Sequence, residues 1–139
     1  MGLYLVVFAD DTTDEELLGV EVGTYADFDT FRSAISDALG EQASSYPTLL
    51  AHPDSGTPWS PADAHRLVEE LEQLAEVLAA RPAHRHEAGS WQPRAMEVTG
   101  LRPRTLWESF VDVDGEVLLT QITRLAALAV GTGRPVEFL

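Results

Sequence analysis

The chain has 139 residues, 45% hydrophobic and 23% charged, with no cysteine, which is the balance of a globular domain able to bury a core without staples and excludes disulfides, thiolate nucleophiles and cysteine-based zinc sites. Its net charge of −14 is uneven: residues 1–80 hold 16 acids against Arg32 and Arg66, residues 81–139 hold seven acids and seven arginines, and lysine is absent. A field of that sign disfavours nucleic acid and anionic membranes as partners and favours a basic protein.

The N-terminal "LYLVVFA" (3–9) is apolar and rich in β-branched and aromatic residues, which predicts a buried strand. Its apolar run is short and lacks a basic flank, so it reads neither as a signal peptide nor as a membrane span, and a cytoplasmic location is expected. The acidic turn 10–16 leads to "LLGVEV" (17–22), a second strand closing an antiparallel hairpin. Residues 23–40 form a helix capped by Thr24 with Asp27 three residues on. Its stripe is Phe28, Phe31, Ile35 and Leu39, and Gly40 ends it.

"YPTLLAH" (46–52) is expected as a third strand and "HPDSGTPWSPAD" (52–63) as a proline-punctuated loop. Ser60, Pro61 and Asp63 then start a second helix, with Leu67, Leu71, Leu74 and Leu78 facing the core. Trp59 stands one residue before the cap, where a staple onto Ala64 is expected. Residues 81–104 lack a period and read as an irregular surface loop with one short strand near Met96–Thr99. Asp114 is expected to cap a third helix over 116–131, buried through Leu118, Leu119, Ile122, Leu125, Ala126 and Ala129 and ended by Gly131 and Gly133. A last strand covers 134–139. No repeat or linker divides the chain. The order predicts one α+β domain over 1–139: a small, mostly antiparallel sheet of about four strands packed with three helices.

Several groupings have the residue types of a reactive site. His52, Asp54 and Ser55 hold the types of a hydrolase triad or of a metal-dependent enzyme, but no G-x-S-x-G elbow is present, and Pro-Asp-Ser-Gly is a ready turn. His84 and His86 lack a recognisable third ligand. Asp112-x-Asp114-Gly115-Glu116 departs from a calcium loop, with glycine misplaced and no later acid. No phosphate loop or dinucleotide fingerprint occurs. No cofactor and no metal is expected.

The second helix is more informative. Glu69, Glu72 and Glu76 share one exposed face, and no lysine or arginine four residues on relieves any of them. Glu72 and Glu76 repel at i, i+4, which costs roughly 0.2–0.5 kcal/mol. One account is a solvated face, and the other is a docking surface for a cationic partner that also draws in Asp14 and Glu15 of the acidic turn. A generic acidic interaction module has the same features.

Three segments carry a resemblance: "GVEVGTYADFDTFR" (19–32), "YPTLLAHPDSGTPWSPADAHRLVEEL" (46–71) and "LWESFVDVDGEVLLTQITRLAALA" (106–129), with "PVEF" near the end. In that order they resemble the immunity protein 70 family of bacterial polymorphic toxin systems. The stretch 81–104 lies outside these three segments. The resemblance implies a small α+β protein that binds and blocks a cognate toxin without catalysis or cofactor, and the charge of the chain points to a basic one. It adds Tyr25, Asp27, Phe28, His52, Asp54 and Trp59 as candidate contacts. The partner-binding set expected from both lines of reasoning is Tyr25, Asp14, Glu15, Asp54, Trp59, Glu69, Glu72 and Glu76.

Overall fold

Two antiparallel strands open the chain, β1 (Gly2–Phe8) and β2 (Glu16–Thr24). The computed structural model describes residues 2–54 and 56–139. The C-terminal β3 (Glu137–Phe138) pairs antiparallel with the other side of β1, giving the order β2-β1-β3. Strand alternation sends Leu3, Leu5, Val7, Val20, Val22 and Phe138 into the hydrophobic cluster. Val6 and Phe8, on the opposite face, are buried outside that cluster. The outer edge of β2 is partly closed by the Val113 amide, which donates to the Glu21 carbonyl.

The α1 helix (Tyr25–Leu39) starts where the sequence places it. Thr24 accepts from the Asp27 amide at 3.0 Å, and the Asp27 carboxylate accepts from the Thr24 amide at 2.7 Å, a reciprocal capping box. Phe28, Phe31, Ile35 and Leu39 are the buried stripe, each contributing roughly 1.5–3 kcal/mol of transfer free energy. Gly40 has the positive φ expected of it, at 60°, but its ψ of −125° leads into a 3₁₀ turn over Gly40–Ser45.

Residues 46–52 correct the expectation of a third strand: they contain a one-turn helix, α2 (Pro47–Leu50). Pro47 sits where a helix needs no amide donor. Glu70, far along the chain and only 8% exposed, supplies the missing acceptor, its two oxygens taking the Thr48 and Leu49 amides at 3.1 and 3.0 Å. A remote carboxylate therefore makes this short run helical.

The α3 helix (Pro61–Ala79) begins with the second capping box, Ser60 with Asp63, and buries Leu67, Leu71, Leu74 and Leu78 as expected. It packs along α5 (Leu118–Thr132), whose buried residues are those the sequence assigns, and Gly133 ends α5 in the left-handed conformation at φ 69°. Both α1 and α5 lie against β1 and β2, and among the described residues no other helix makes an extensive contact with the sheet.

The stretch 81–104 is without regular structure except for one helix. It holds α4 (Gln92–Thr99), so the short strand expected near Met96–Thr99 is helix instead. The buried Gln92 side chain takes the place of a backbone partner: Nε2 donates to the Val111 carbonyl and Oε1 accepts from the Val111 amide. Asp114 does not cap α5. Asp112, 1% exposed, accepts from the Asp114 and Glu116 amides at 3.0 Å each and from Gln121 Nε2 at 3.2 Å. An Asx turn two residues earlier thus consumes the carboxylate chemistry of this segment. Burial holds the Asp112 pKa above the usual aspartate value. Among the described residues the result is an α+β fold with a three-stranded antiparallel sheet and five α-helices, one strand fewer and two helices more than expected.

Two substitutions test this packing. Glu70→Ala leaves two amides without their acceptor and is expected to lower unfolding free energy by about 2–3 kcal/mol, Glu70→Gln by less, in urea titrations. A side chain at Gly19 would collide with the Tyr4 ring lying over it. Gly19→Ala is therefore expected to destabilise the wild-type background and to be much milder in Tyr4→Ala, a coupling read from a double-mutant cycle.

Candidate protein-binding surface

The α3 helix presents its glutamates because its leucines are fixed. With Leu67, Leu71, Leu74 and Leu78 against the core, Glu69, Glu72 and Glu76 fall outward within an arc of about 60°. All three are exposed, and among the described residues none forms an ion pair. Arg66, the only arginine of α3, is held by Asp63 at 2.5 Å. The repulsion expected from the sequence is thus left uncompensated.

Asp14 and Glu15 are exposed in the hairpin turn. That turn lies by the C-terminal end of α5, where Arg134 Nη1 pairs with Asp11 at 2.6 Å and its Nε donates to the Phe8 carbonyl. Trp59, just before α3, pairs through its backbone with Val136, just after α5, so α3 begins at this same end. Glu76 lies about 22 Å further along the helix from Pro61. The turn therefore lies near the start of α3, with Glu76 at the far end of the helix face.

The remaining expected contacts have structural surroundings. Trp59 is 0% exposed, and its indole Nε1 donates to the Thr48 carbonyl at 2.9 Å, so its side chain belongs to the core cluster, which also holds Ala64. Tyr25 is half-buried against the core. Phe28 is fully buried, and Asp27 is engaged in the α1 cap. Asp54 lies 3.7 Å from Arg32, whose Nη1 donates to the His52 carbonyl at 2.6 Å and whose guanidinium stacks on Phe28. The His52 ring packs on Trp59 and Phe138, with Nε2–H donating to the Thr57 carbonyl at 2.9 Å. Ser55, the nucleophile of the hydrolase reading, lies outside the described residues.

One grouping escapes sequence reading. The Tyr4 hydroxyl donates to Glu16 Oε2 at 2.7 Å, and its pKa is pushed up to about 12 by that bond first, then by burial and by the charges of Glu16, Glu21 and Asp114. Strand alternation placed Tyr4 opposite Leu3 and Leu5, which was legible; the convergence of acids from three segments was not.

His84 and His86 form an aromatic cluster with Phe110, His84 stacking on the Phe110 ring at 5.1 Å. His86 Nε2–H donates to the Ser109 carbonyl at 2.6 Å, and the His84 amide donates to Ser109 Oγ. Among the described residues no group of three His, Asp or Glu side chains is placed to hold a metal. Burial, and secondarily the charge of His86, hold the His84 pKa below its ordinary value, with Glu87 opposing. The unfolded chain therefore takes up this proton first as pH falls below about 6.5, and stability is lost with acidification. The urea midpoint is expected to drop between pH 7.5 and 5.5, and to drop less in His84→Gln.

The family model described as immunity protein 70 matches residues 5–138. No curated protein and no solved structure gives a significant match. With the match spanning nearly the whole chain, this α+β protein belongs to the immunity protein 70 family.

Proposed function

We propose that the chain protects its producing cell by binding a cognate toxin domain in the cytoplasm and holding it inactive in a stoichiometric complex, with no chemistry of its own. The family match over residues 5–138 carries this reading. The net charge of −14 supports the further step that the toxin is basic, because opposite fields accelerate encounter and favour occupation of a cationic surface. The exposed Glu69, Glu72 and Glu76 of α3, without an ion pair among the described residues, are the docking face in this reading, with Asp14 and Glu15 extending the attractive field at one end of the molecule. His52 and Asp54, the centre of the enzymatic alternative, are engaged with Thr57 and Arg32. Among the described residues, no helix is long and apolar enough to cross a membrane.

The reading is tested with the toxin domain encoded by the neighbouring gene. Co-expression of the full chain is expected to rescue growth, and absence of rescue overturns the immunity role. Glu72→Lys with Glu76→Lys is expected to slow association about tenfold or more at low salt while leaving the thermal midpoint nearly unchanged. Rescue accompanied by unaltered association kinetics would remove α3 as the docking face.

A further inference from the structure

The sheet face turned away from the core carries Tyr4, Val6 and Phe8 of β1, with Glu21 directly across from Tyr4 and Gly19 and Glu137 flanking Val6. The Tyr4 ring leans over Gly19 toward Glu16, to which its hydroxyl donates. On the other side of Tyr4 the face is low among the described residues, because Gly2 carries no side chain. Gly23 has no alternative: its φ is +118°, and a Cβ there would run into the Asp27 carboxylate and the Trp91 ring. The bare backbone leaves an open cleft of about 520 Å³, lined by Gly2, Leu3, Tyr4, Glu21 and Gly23. That is within the size range of sites that accept small groups.

The cleft is lined by one aromatic residue, Tyr4, and one acidic residue, Glu21. Glu16 and Asp114 add negative potential around the same ring, and among the described residues Glu16, Glu21 and Asp114 form no ion pair. A hydroxyl that donates to a carboxylate leaves its ring richer in electrons. A planar cation suits such a place, stacking on the ring while its N–H groups fork onto a carboxylate.

We infer that this cleft receives an arginine side chain presented by a protein partner, its guanidinium held between the Tyr4 ring and the Glu21 carboxylate. The inference rests on the proposed function for the partner being a basic protein, and it adds an anchor on the side of the molecule away from α3. Arginine fits better than lysine, since an ammonium offers neither a plane to stack nor a fork to pair. The bare glycine backbone lets the partner's chain approach closely.

The test uses the full-length, ¹⁵N-labelled chain and the peptide acetyl-Gly-Arg-Gly-amide, with the lysine and glutamine peptides as comparisons. Saturable amide shifts centred on Gly2–Tyr4 and Glu21–Gly23 are expected, stronger for arginine than for lysine and absent for glutamine. Glu21→Gln is expected to weaken the arginine peptide at least about fivefold, and Asp37→Asn, at an exposed position of α1, to leave it unchanged. The absence of saturable shifts at Glu21 and Gly23, shifts centred on α3, or equal weakening by the two variants would overturn the inference. The probe is a peptide, so a failed toxin rescue leaves this result standing, and a silent cleft leaves the immunity role to the rescue experiment.

Discussion

The buried indole of Trp59 is the constraint on which the rest of the structure depends. Its backbone exchanges both hydrogen bonds with Val136, its Nε1 donates to the Thr48 carbonyl, and its ring meets Phe138 edge-on at 4.8 Å. One side chain thus joins α2, the start of α3 and the last strand. Those elements lie far apart in sequence, and each is short or irregular where it meets Trp59. Phe138 in turn contacts Phe28 of α1, which carries the same packing to the other wall of the core. Because Trp59 is fixed, the cap at Ser60 and Asp63 is fixed, and so is the rotation of α3 that exposes Glu69, Glu72 and Glu76. The acidic face is a consequence of a buried leucine stripe in a helix that starts beside a core tryptophan.

This division of labour explains how α3 tolerates repulsion on its surface. A helix in a protein draws most of its stability from the apolar face it buries, not from its solvent-side pairs. The α3 helix has four buried leucines, a capping box and a proline at its first position. Against contributions of roughly 1.5–3 kcal/mol per buried leucine, an unfavourable Glu72–Glu76 pair of roughly 0.2–0.5 kcal/mol is a minor cost. The outer positions are therefore free to be set by something other than folding.

What could be read in the sequence was local. The capping boxes at Thr24 and Ser60 span three residues, and the core stripes of α1, α3 and α5 repeat within one helix, so pattern alone locates them. The two helices that pattern missed share a different origin. The α2 helix depends on Glu70 accepting from Thr48 and Leu49, and α4 is docked by Gln92 exchanging bonds with Val111. In each case the deciding partner is about 20 residues away, and the element is too short to show a period. Trp59 illustrates a related difficulty. Beside Pro58 and Ser60 it looks like a loop residue, and only the arrival of β3 and α2 encloses it. The candidate site was legible in part for the same reason. The α3 glutamates follow from helical spacing, whereas the Tyr4 grouping needs the hairpin register and the Asp112–Glu116 turn to be known first.

The arrangement of charge separates capture from fit. The α3 face and the Tyr4 cleft do not form one patch and lie on different sides of the fold, whereas the hairpin turn runs into the Tyr4 grouping through Glu16. At physiological ionic strength a field fades over about 8 Å, so each surface acts locally once a partner is near. Before that, a cationic body approaching from any of these sides meets a surface of the same sign, because the seven arginines after residue 80 only balance the acids of their own half. Fast encounter therefore does not require that the carboxylates be gathered. Orientation does require local features, and here the two candidates differ in kind. The glutamates of α3 are flexible and solvated, suited to attraction without a fixed geometry. The Tyr4 ring is held by Glu16 on one side and by contact with Gly19 beneath, so the cleft beside it is already formed. A preformed site costs less to order on binding than a flexible one. In this fold, steering belongs to the charge as a whole and register to the sheet.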